Sequence, residues 1–512
     1  MKRTFGAGGW FVNCGALAVL VAAVPACGGP DDGTGGEVID KTESELVFAS
    51  GNPFGTETSV TTSITQSEGS LGVFGEFVIT SNANTDAPFL SFNSGSRQIR
   101  PSTSMMTFKR VAPDDEGGET FASGRVRPPS GWSVLWGDPS ITRNRANSSQ
   151  IYLANLAIPT SKFPASGEID GDVDPSGLPA SYCGAYIGGA CIARSTNGGT
   201  SFTLSSSDCV QRTSTSCPNG TFYDGSALET SPEGRVYAAF NDVFRFAHDV
   251  YMATSGTGSF ARVTDPPMAG STFSHPRMKS GPNGLYMLLW DGSNLRITRY
   301  PATTSRTAAW TTPVLVSANV TTEDDLTLSD RTIRLGPQYG LAIGKNEFNG
   351  DEVRIVFATV TAGRHHLHFA KCTTGTTITC SQPSIWNTDG FGGQQWAPAI
   401  AYGNKFSGGA PFWVFTFHNN SNFPTGNQVE LWSGMLPNSS SLSTIRQEDF
   451  NQIPCPDLRG YWGDYDYMET GFTGSGAPGL TFRAFTQSGT AGCVRDMYTS
   501  STKFDEYSSW LN

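Results

Sequence analysis

Charge is scarce in this chain, and positive charge scarcest. Lys and Arg number 34 in 512 residues against 45 Asp and Glu, giving a formal net charge of −11. Holding nucleic-acid phosphates needs a concentrated basic footprint, so a nucleic-acid partner is excluded. An acidic surface is equally poor at holding an anionic membrane. No Cys-x-x-Cys occurs, which removes the commonest zinc and thioredoxin-like patterns. Gly-x-Ser-x-Gly, the phosphate-binding Gly-Lys-Ser/Thr loop and His-Glu-x-x-His are absent too. Serine-hydrolase, nucleotide and zinc-peptidase chemistry thereby lose their best support. Sustained helical periods are also missing, because 59 Gly and 30 Pro interrupt the chain at short intervals. An all-β class remains, and length alone does not force a split, since β folds often run long as one unit.

The one long apolar run lies at the start. Lys2 and Arg3 precede Phe11 to Val24, a stretch too short to span as a stable anchor, and Val24-Pro25-Ala26-Cys27 closes it. This resembles a bacterial lipoprotein signal, although Pro25 departs from the usual small residue. The resemblance implies removal of residues 1–26, lipidation of Cys27 and membrane attachment through that lipid only. Gly28 rather than Asp follows the cysteine, which implies the outer membrane of a diderm host. An ordinary secretory signal cut near Ala23 or Ala26 is the alternative, and both place the protein in the bacterial cell envelope or outside it. Residues 27–52 are Gly-rich and acidic, which predicts a disordered tether ahead of a folded domain at 53–512.

Cysteine usage agrees with export. Apart from Cys14 and Cys27 there are eight: Cys183, Cys191, Cys209, Cys217, Cys372, Cys380, Cys455 and Cys493. An even set fits an oxidising compartment. Closeness in sequence favours the local pairs 183–191, 209–217 and 372–380, with 455–493 closing the set, while the count alone leaves other connectivities open.

Seven runs alternate bulky apolar residues with smaller or polar ones: 75–82, 150–157, 234–242, 284–292, 351–359, 411–419 and 480–488. Such runs predict strands packed between neighbouring sheets. A second recurring segment ends in a polar, Gly-containing turn closed by an aromatic. Ser195 to Phe202, STNGGTSF, is its best copy, and 249–260, 367–377, 495–504 and 102–110 are weaker ones. STNGGTSF resembles the Asp-box, or BNR repeat, of sialidase-type β-propellers. The resemblance implies a single, monomeric β-propeller of four-stranded antiparallel blades, seven of them, with six as the alternative.

In a propeller the first strand of each blade opens at one face of the central channel. The unit openings would bring together Glu57, Asp138, Asp224, Arg277, Arg334, Trp396, Asp464 and Tyr465, a mixed-charge, aromatic-edged cluster suited to sugars. Each also has a structural reading, with carboxylates accepting backbone N–H groups and rings covering the rim. The resemblance to sialidases implies further roles. Tyr465 or Tyr461 would be the nucleophile, Glu229 its partner, Asp138 the acid, and Arg277, Arg334 and one of Arg459 or Arg483 a carboxylate clamp. The family's Arg-Ile-Pro opening is absent from the first unit, and Ile99-Arg100-Pro101 falls out of order. His366 and His368 would share a strand face, but a pair without a third ligand is usually a solvated face. No cofactor is expected, and the acidic loop Glu323 to Asp325, which lacks the spacing of a dedicated calcium loop, is where a structural calcium would sit. The leading expectation is an exported propeller binding a glycan or a surface protein. An exo-sialidase-type hydrolase and a protein-interaction scaffold are the alternatives.

Overall fold

The computed structural model describes most of residues 120–449 and, outside that range, backbone strands between 38 and 112 and between 459 and 503. Residues 1–37, 40–56, 163–168, 171–187, 212–222, 268–274, 321–325, 404–411 and 421–427 are among those outside the description. The expected signal, Cys27 and the loop Glu323 to Asp325 therefore lie outside the described residues, as does the expected disordered tether except Val38–Ile39, which pairs antiparallel with Phe121 and Ala122. Also outside are Cys183, Cys217, Cys455, Cys493, Asp464 and Tyr465.

Among the described residues the chain is all-β, as expected. Five sheets have four strands, two have five and two have three. Among the described residues helical geometry is confined to single 3-10 turns at Thr160–Lys162 and Ser206–Asp208. No described helix is long and apolar enough to cross a membrane. All seven predicted runs form strands, at Val78–Ser81, Ile151–Pro159, Val236–Asp242, Gly284–Trp290, Asp351–Thr361, Phe412–Asn419 and Leu480–Gly489. Each pairs with a strand on both sides. The strand Glu57–Thr61 pairs antiparallel with Arg495–Lys503, so an early strand and the last described strand share one sheet.

Ile151–Pro159, Val236–Asp242 and Gly284–Trp290 are buried at every position, which requires cover on both faces. The two faces belong to two different cores. Val236, Ala238 and Phe240 join Tyr152, Ala154 and Leu156 of the preceding sheet, while Tyr237 and Ala239 join Leu285 and Met287 of the following one. The pattern continues as Leu288 and Ile297 meet Leu341 and Val353, and as Val356 and Phe369 meet Ile400 and Phe415. Successive sheets thus stack face to face, their alternate side chains interleaving. Each fully buried Leu, Ile or Phe contributes about 1.5–3 kcal/mol. A one-residue slip would exchange the two cores, so burial on both faces also sets the register.

The STNGGTSF segment is a self-closed turn at the end of the strand Gly189–Ser195. Ser195 Oγ accepts from the backbone N–H of Gly199 at 2.8 Å, and Asn197 Oδ1 accepts from that of Ser201 at 3.0 Å. Gly198 and Gly199 take φ of 67° and 85°, a left-handed path that glycine follows without penalty. Phe202 packs against Ile141 and Ile151 beneath the turn.

The disulfides correct one expectation. Cys372 is bonded to Cys380 as predicted. Cys191, however, is bonded to Cys209, 18 residues on, so the pairs 183–191 and 209–217 do not form. Cys191 stands directly opposite Cys209 on adjacent antiparallel strands, as Cys372 stands opposite Cys380. Opposition across strands, not distance along the chain, brings the two sulfurs together.

Candidate functional site

Three first strands share one irregularity. In Trp132–Arg143 the ladder skips between Trp136 and Ser140, so Gly137, Asp138 and Pro139 face a single partner position. In Tyr223–Thr230 it skips between Asp224 and Ser226, leaving Gly225 as the extra residue at φ 69°. In Gln395–Gly403 it skips between Trp396 and Ala399, and Ala397 takes φ 48°. A bulge breaks pairing and re-aims the chain, which is why bulges gather beside binding and catalytic sites. Ser140 Oγ accepts from the backbone N–H of Leu228 at 2.8 Å, so the first two bulges lie at one height across neighbouring sheets. The sequence openings Trp-Gly-Asp-Pro, Tyr-Asp-Gly and Trp-Ala-Pro are these bulges.

Side chains tie the bulged ends together. The His275 ring sits so close over Gly225 that a Cβ there would lie 2.9 Å from it. Tyr339 donates its hydroxyl hydrogen to the carbonyl of His275 at 3.0 Å, linking the lead-in of one sheet to the first strand of the next. Gln338 Oε1 accepts from the N–H of Ala397 at 2.5 Å, making the next link. Arg277, two residues past His275, is 8% exposed, and His275 is 6% exposed. Asn241 lies across from Asp224 and beside His248, both Asn241 and His248 being fully buried. Next to them Asp249 accepts from the Tyr223 hydroxyl at 2.8 Å and from Arg262 at 3.0 Å, and Arg245 bridges Asp242 and Asp249. These ion pairs hold Arg245 against the same end.

All six histidines of the chain gather at this end of the sheets: His248, His275, His365, His366, His368 and His418. Burial, reinforced by His275 nearby and opposed by Asp249, lowers the His248 pKa to about 3. Burial and then His366 lower that of His368 to about 4, and burial with Arg364 lowers that of His366. At neutral pH the imidazoles of His248, His366 and His368 are uncharged and offer one donor and one acceptor each. The region is a largely buried, hydrogen-bonding end of the sheets with arginine as its cation, not a polycationic one.

No protein-family model matches the chain, and no curated protein does. Among solved structures, a protein of unknown function from Dyadobacter fermentans is similar over 91% of this chain and 99% of its own, with 10% identity and a TM-score of 0.41. An α-L-arabinanase of Penicillium chrysogenum, complexed with arabinobiose, is similar over 74% of this chain and 96% of its own, with 12% identity and a TM-score of 0.39. A Hadza microbial sialidase is similar over 76% of this chain and 66% of its own, with 11% identity and a TM-score of 0.38. These likenesses are too distant to carry an activity to this chain.

The predicted site residues distribute unevenly. Arg277 stands at the tied end, and Trp396 forms its floor, fully buried and stacked on His418 at 5.9 Å between ring centroids. Asp138 and Asp224 occupy bulge positions on their strands. Glu57 begins the strand that pairs with Arg495–Lys503, and Arg334 ends a strand in a separate three-stranded sheet. Glu229 lies near the opposite end of its strand from Asp224. There its carboxylate, 4% exposed, meets Arg145 at 2.6 Å and Lys279 at 3.7 Å. His366 and His368 share a strand face, and among the described residues no group of three His, Cys, Asp or Glu is placed to hold a metal ion. Sequence reading passed over Asn241, His248, Gln338 and His418. Their signal was the polar tail of otherwise apolar runs, Phe-Asn-Asp at 240–242 and Phe-His-Asn-Asn at 417–420.

Proposed function

We propose that the protein is an exported, lipid-anchored β-propeller whose bulged face binds a glycan. The seven four- and five-stranded sheets are read as blades, with Glu57–Thr61 closing the ring against the last blade. STNGGTSF is read as an Asp-box turn at the far end of its blade, away from the binding face. The observation that carries the reading is the recurrence of a bulge in three first strands, two of them cross-tied through His275, Tyr339 and Gln338. Arg277, neutral imidazoles and side-chain amides supply the fixed donors and acceptors that sugar hydroxyls need, at the mouth of a channel. Cys27 lipidation and an outer-membrane location belong to the same proposal and follow from the leader and Gly28.

Binding without turnover is favoured over a sialidase-type hydrolase. The Glu229 carboxylate is engaged by Arg145 and Lys279, and the chain lacks the Arg-Ile-Pro opening. A hydrolase needs acid, nucleophile and arginines around one sugar, whereas a binder needs only the rim. The test is a fluorogenic sialoside and a panel of other glycosides offered to the purified protein, beside a glycan array. The expected result is retention of glycans with no turnover, and retention weakened in Arg277→Ala. Turnover that disappears in Arg277→Ala/Arg334→Ala would replace this reading with the hydrolase.

A further inference from the structure

Four of the six histidines are buried, between 0% and 6% exposed: His248, His275, His365 and His418. His366 and His368 are the two that are part-exposed, alternating with buried His365 and Leu367 along the strand Arg364–Thr374. His366 stands opposite Thr359 and His368 opposite Phe357 on the neighbouring antiparallel strand, so both rings leave the same face of the sheet. Hydrogen bonds fix where that end of the strand lies. The backbone N–H groups of His365 and Leu367 donate to Oε1 of Gln394 and of Gln395, at 2.6 and 3.0 Å, beside the bulged start of the strand Gln395–Gly403.

Two features set this pair apart from a solvated strand face. The His368 ring is stacked on Phe357, with centroids 5.2 Å apart and planes 18° from parallel, which holds it in one orientation. Nδ1 of His366 and Nε2 of His368 have no hydrogen-bond partner in the protein, so nothing there competes with an ion for them, and either nitrogen of an imidazole can ligate. The spacing suits one ion. A strand sets positions i and i+2 about 6.5 Å apart. Imidazole nitrogens bind a transition metal at about 2.0–2.1 Å, so two on one ion stand about 3 Å from each other. Two histidine side chains on one strand face reach that separation by leaning together.

We infer that His366 and His368 form a two-imidazole chelate for a divalent transition-metal ion, with water completing the coordination. Imidazole selects Cu²⁺, Ni²⁺ or Zn²⁺ over Ca²⁺ and Mg²⁺, which take oxygen ligands. Arg364, two residues before His366 and exposed, shares their strand face. Its charge opposes a second cation, so the site holds an exchangeable ion and not a locked structural one. The inference does not rest on the glycan-binding reading.

The test is calorimetric titration of the untagged, chelator-treated protein with Ni²⁺ and Zn²⁺, beside electron spin-echo envelope modulation of its Cu²⁺ complex, which counts coordinated imidazoles. Uptake of Ni²⁺ and Zn²⁺ that excess Ca²⁺ does not displace is expected, with a two-imidazole Cu²⁺ signal. His366→Ala and His368→Phe, the second keeping an aromatic ring on Phe357, should each weaken Ni²⁺ binding by at least about tenfold and leave a one-imidazole signal. Arg364→Gln should tighten it by about two- to fivefold, because the repelling charge is gone. Urea midpoints matched to the parent keep the variants comparable, and His366→Ala carries the test alone if His368→Phe unfolds. No uptake of either ion, displacement by Ca²⁺, a one-imidazole signal in the parent, or Ni²⁺ affinity unchanged in His366→Ala overturns the inference.

Discussion

Replacing Gly225 with alanine tests how the candidate site is held together. Gly225 is the bulge residue of the strand Tyr223–Thr230, with φ of 69°, and an added Cβ would lie 2.9 Å from the His275 ring. The left-handed backbone alone costs an alanine about 1–2 kcal/mol. Pushing His275 off its seat adds about 1–3 kcal/mol of overpacking, so the loss should be about 2–5 kcal/mol. Gly131 supplies the control, with φ of 88° and nothing within 4 Å of its added Cβ. Gly131→Ala should show the backbone cost alone, about 1–2 kcal/mol. Urea unfolding of both variants, and of Gly225→Ala in a His275→Ala background, completes a double-mutant cycle. Coupling of about 1–3 kcal/mol is expected, with Gly225→Ala falling to the Gly131→Ala level once the ring is gone. Because Arg277 is two residues from His275, glycan retention should weaken in Gly225→Ala and not in Gly131→Ala. Equal losses for the two alanine variants in the parent background would refute the seating of His275 on Gly225.

Acid should unfold the protein partly through its buried histidines. The His248 pKa, about 3 when folded, lies below its unfolded value, so the unfolded state binds more protons and stability falls as pH drops below about 6.5, by about 1.4 kcal/mol per pH unit. The acid limb of a urea-midpoint curve should accordingly be shallower in His248→Gln. Removing the Cys191–Cys209 bridge by Cys191→Ser/Cys209→Ser opens a loop of 18 residues and should cost about 3 kcal/mol, read as a lowered urea midpoint. Glu229→Gln strips Arg145 and Lys279 of their shared carboxylate. With the Arg145 side chain 34% exposed, the loss should be about 1–3 kcal/mol and not the larger cost of a fully buried pair, with glycan retention unchanged.

What could be read from sequence was whatever depends on period and local turn chemistry. The alternating runs at 150–157, 234–242 and 284–292 announced strands covered on both faces, and Asn197 with Gly198 and Gly199 announced a turn. Openings such as Trp-Gly-Asp-Pro and Tyr-Asp-Gly drew attention to the positions where the strands bulge, because Gly and Pro are at home in a bulge. Pairing across strands was not legible. Cys191 had a nearer neighbour in Cys183, and only the register that sets it opposite Cys209 decides its partner. The same holds for the site. That Arg334 lies beside Tyr461, that His275 rests on Gly225, and that Glu229 is engaged by Arg145 and Lys279 all follow from contacts between distant segments. Period is a property of neighbours along the chain and survives in one dimension. Register and burial arise only when sheets stack, and tertiary structure alone settles them.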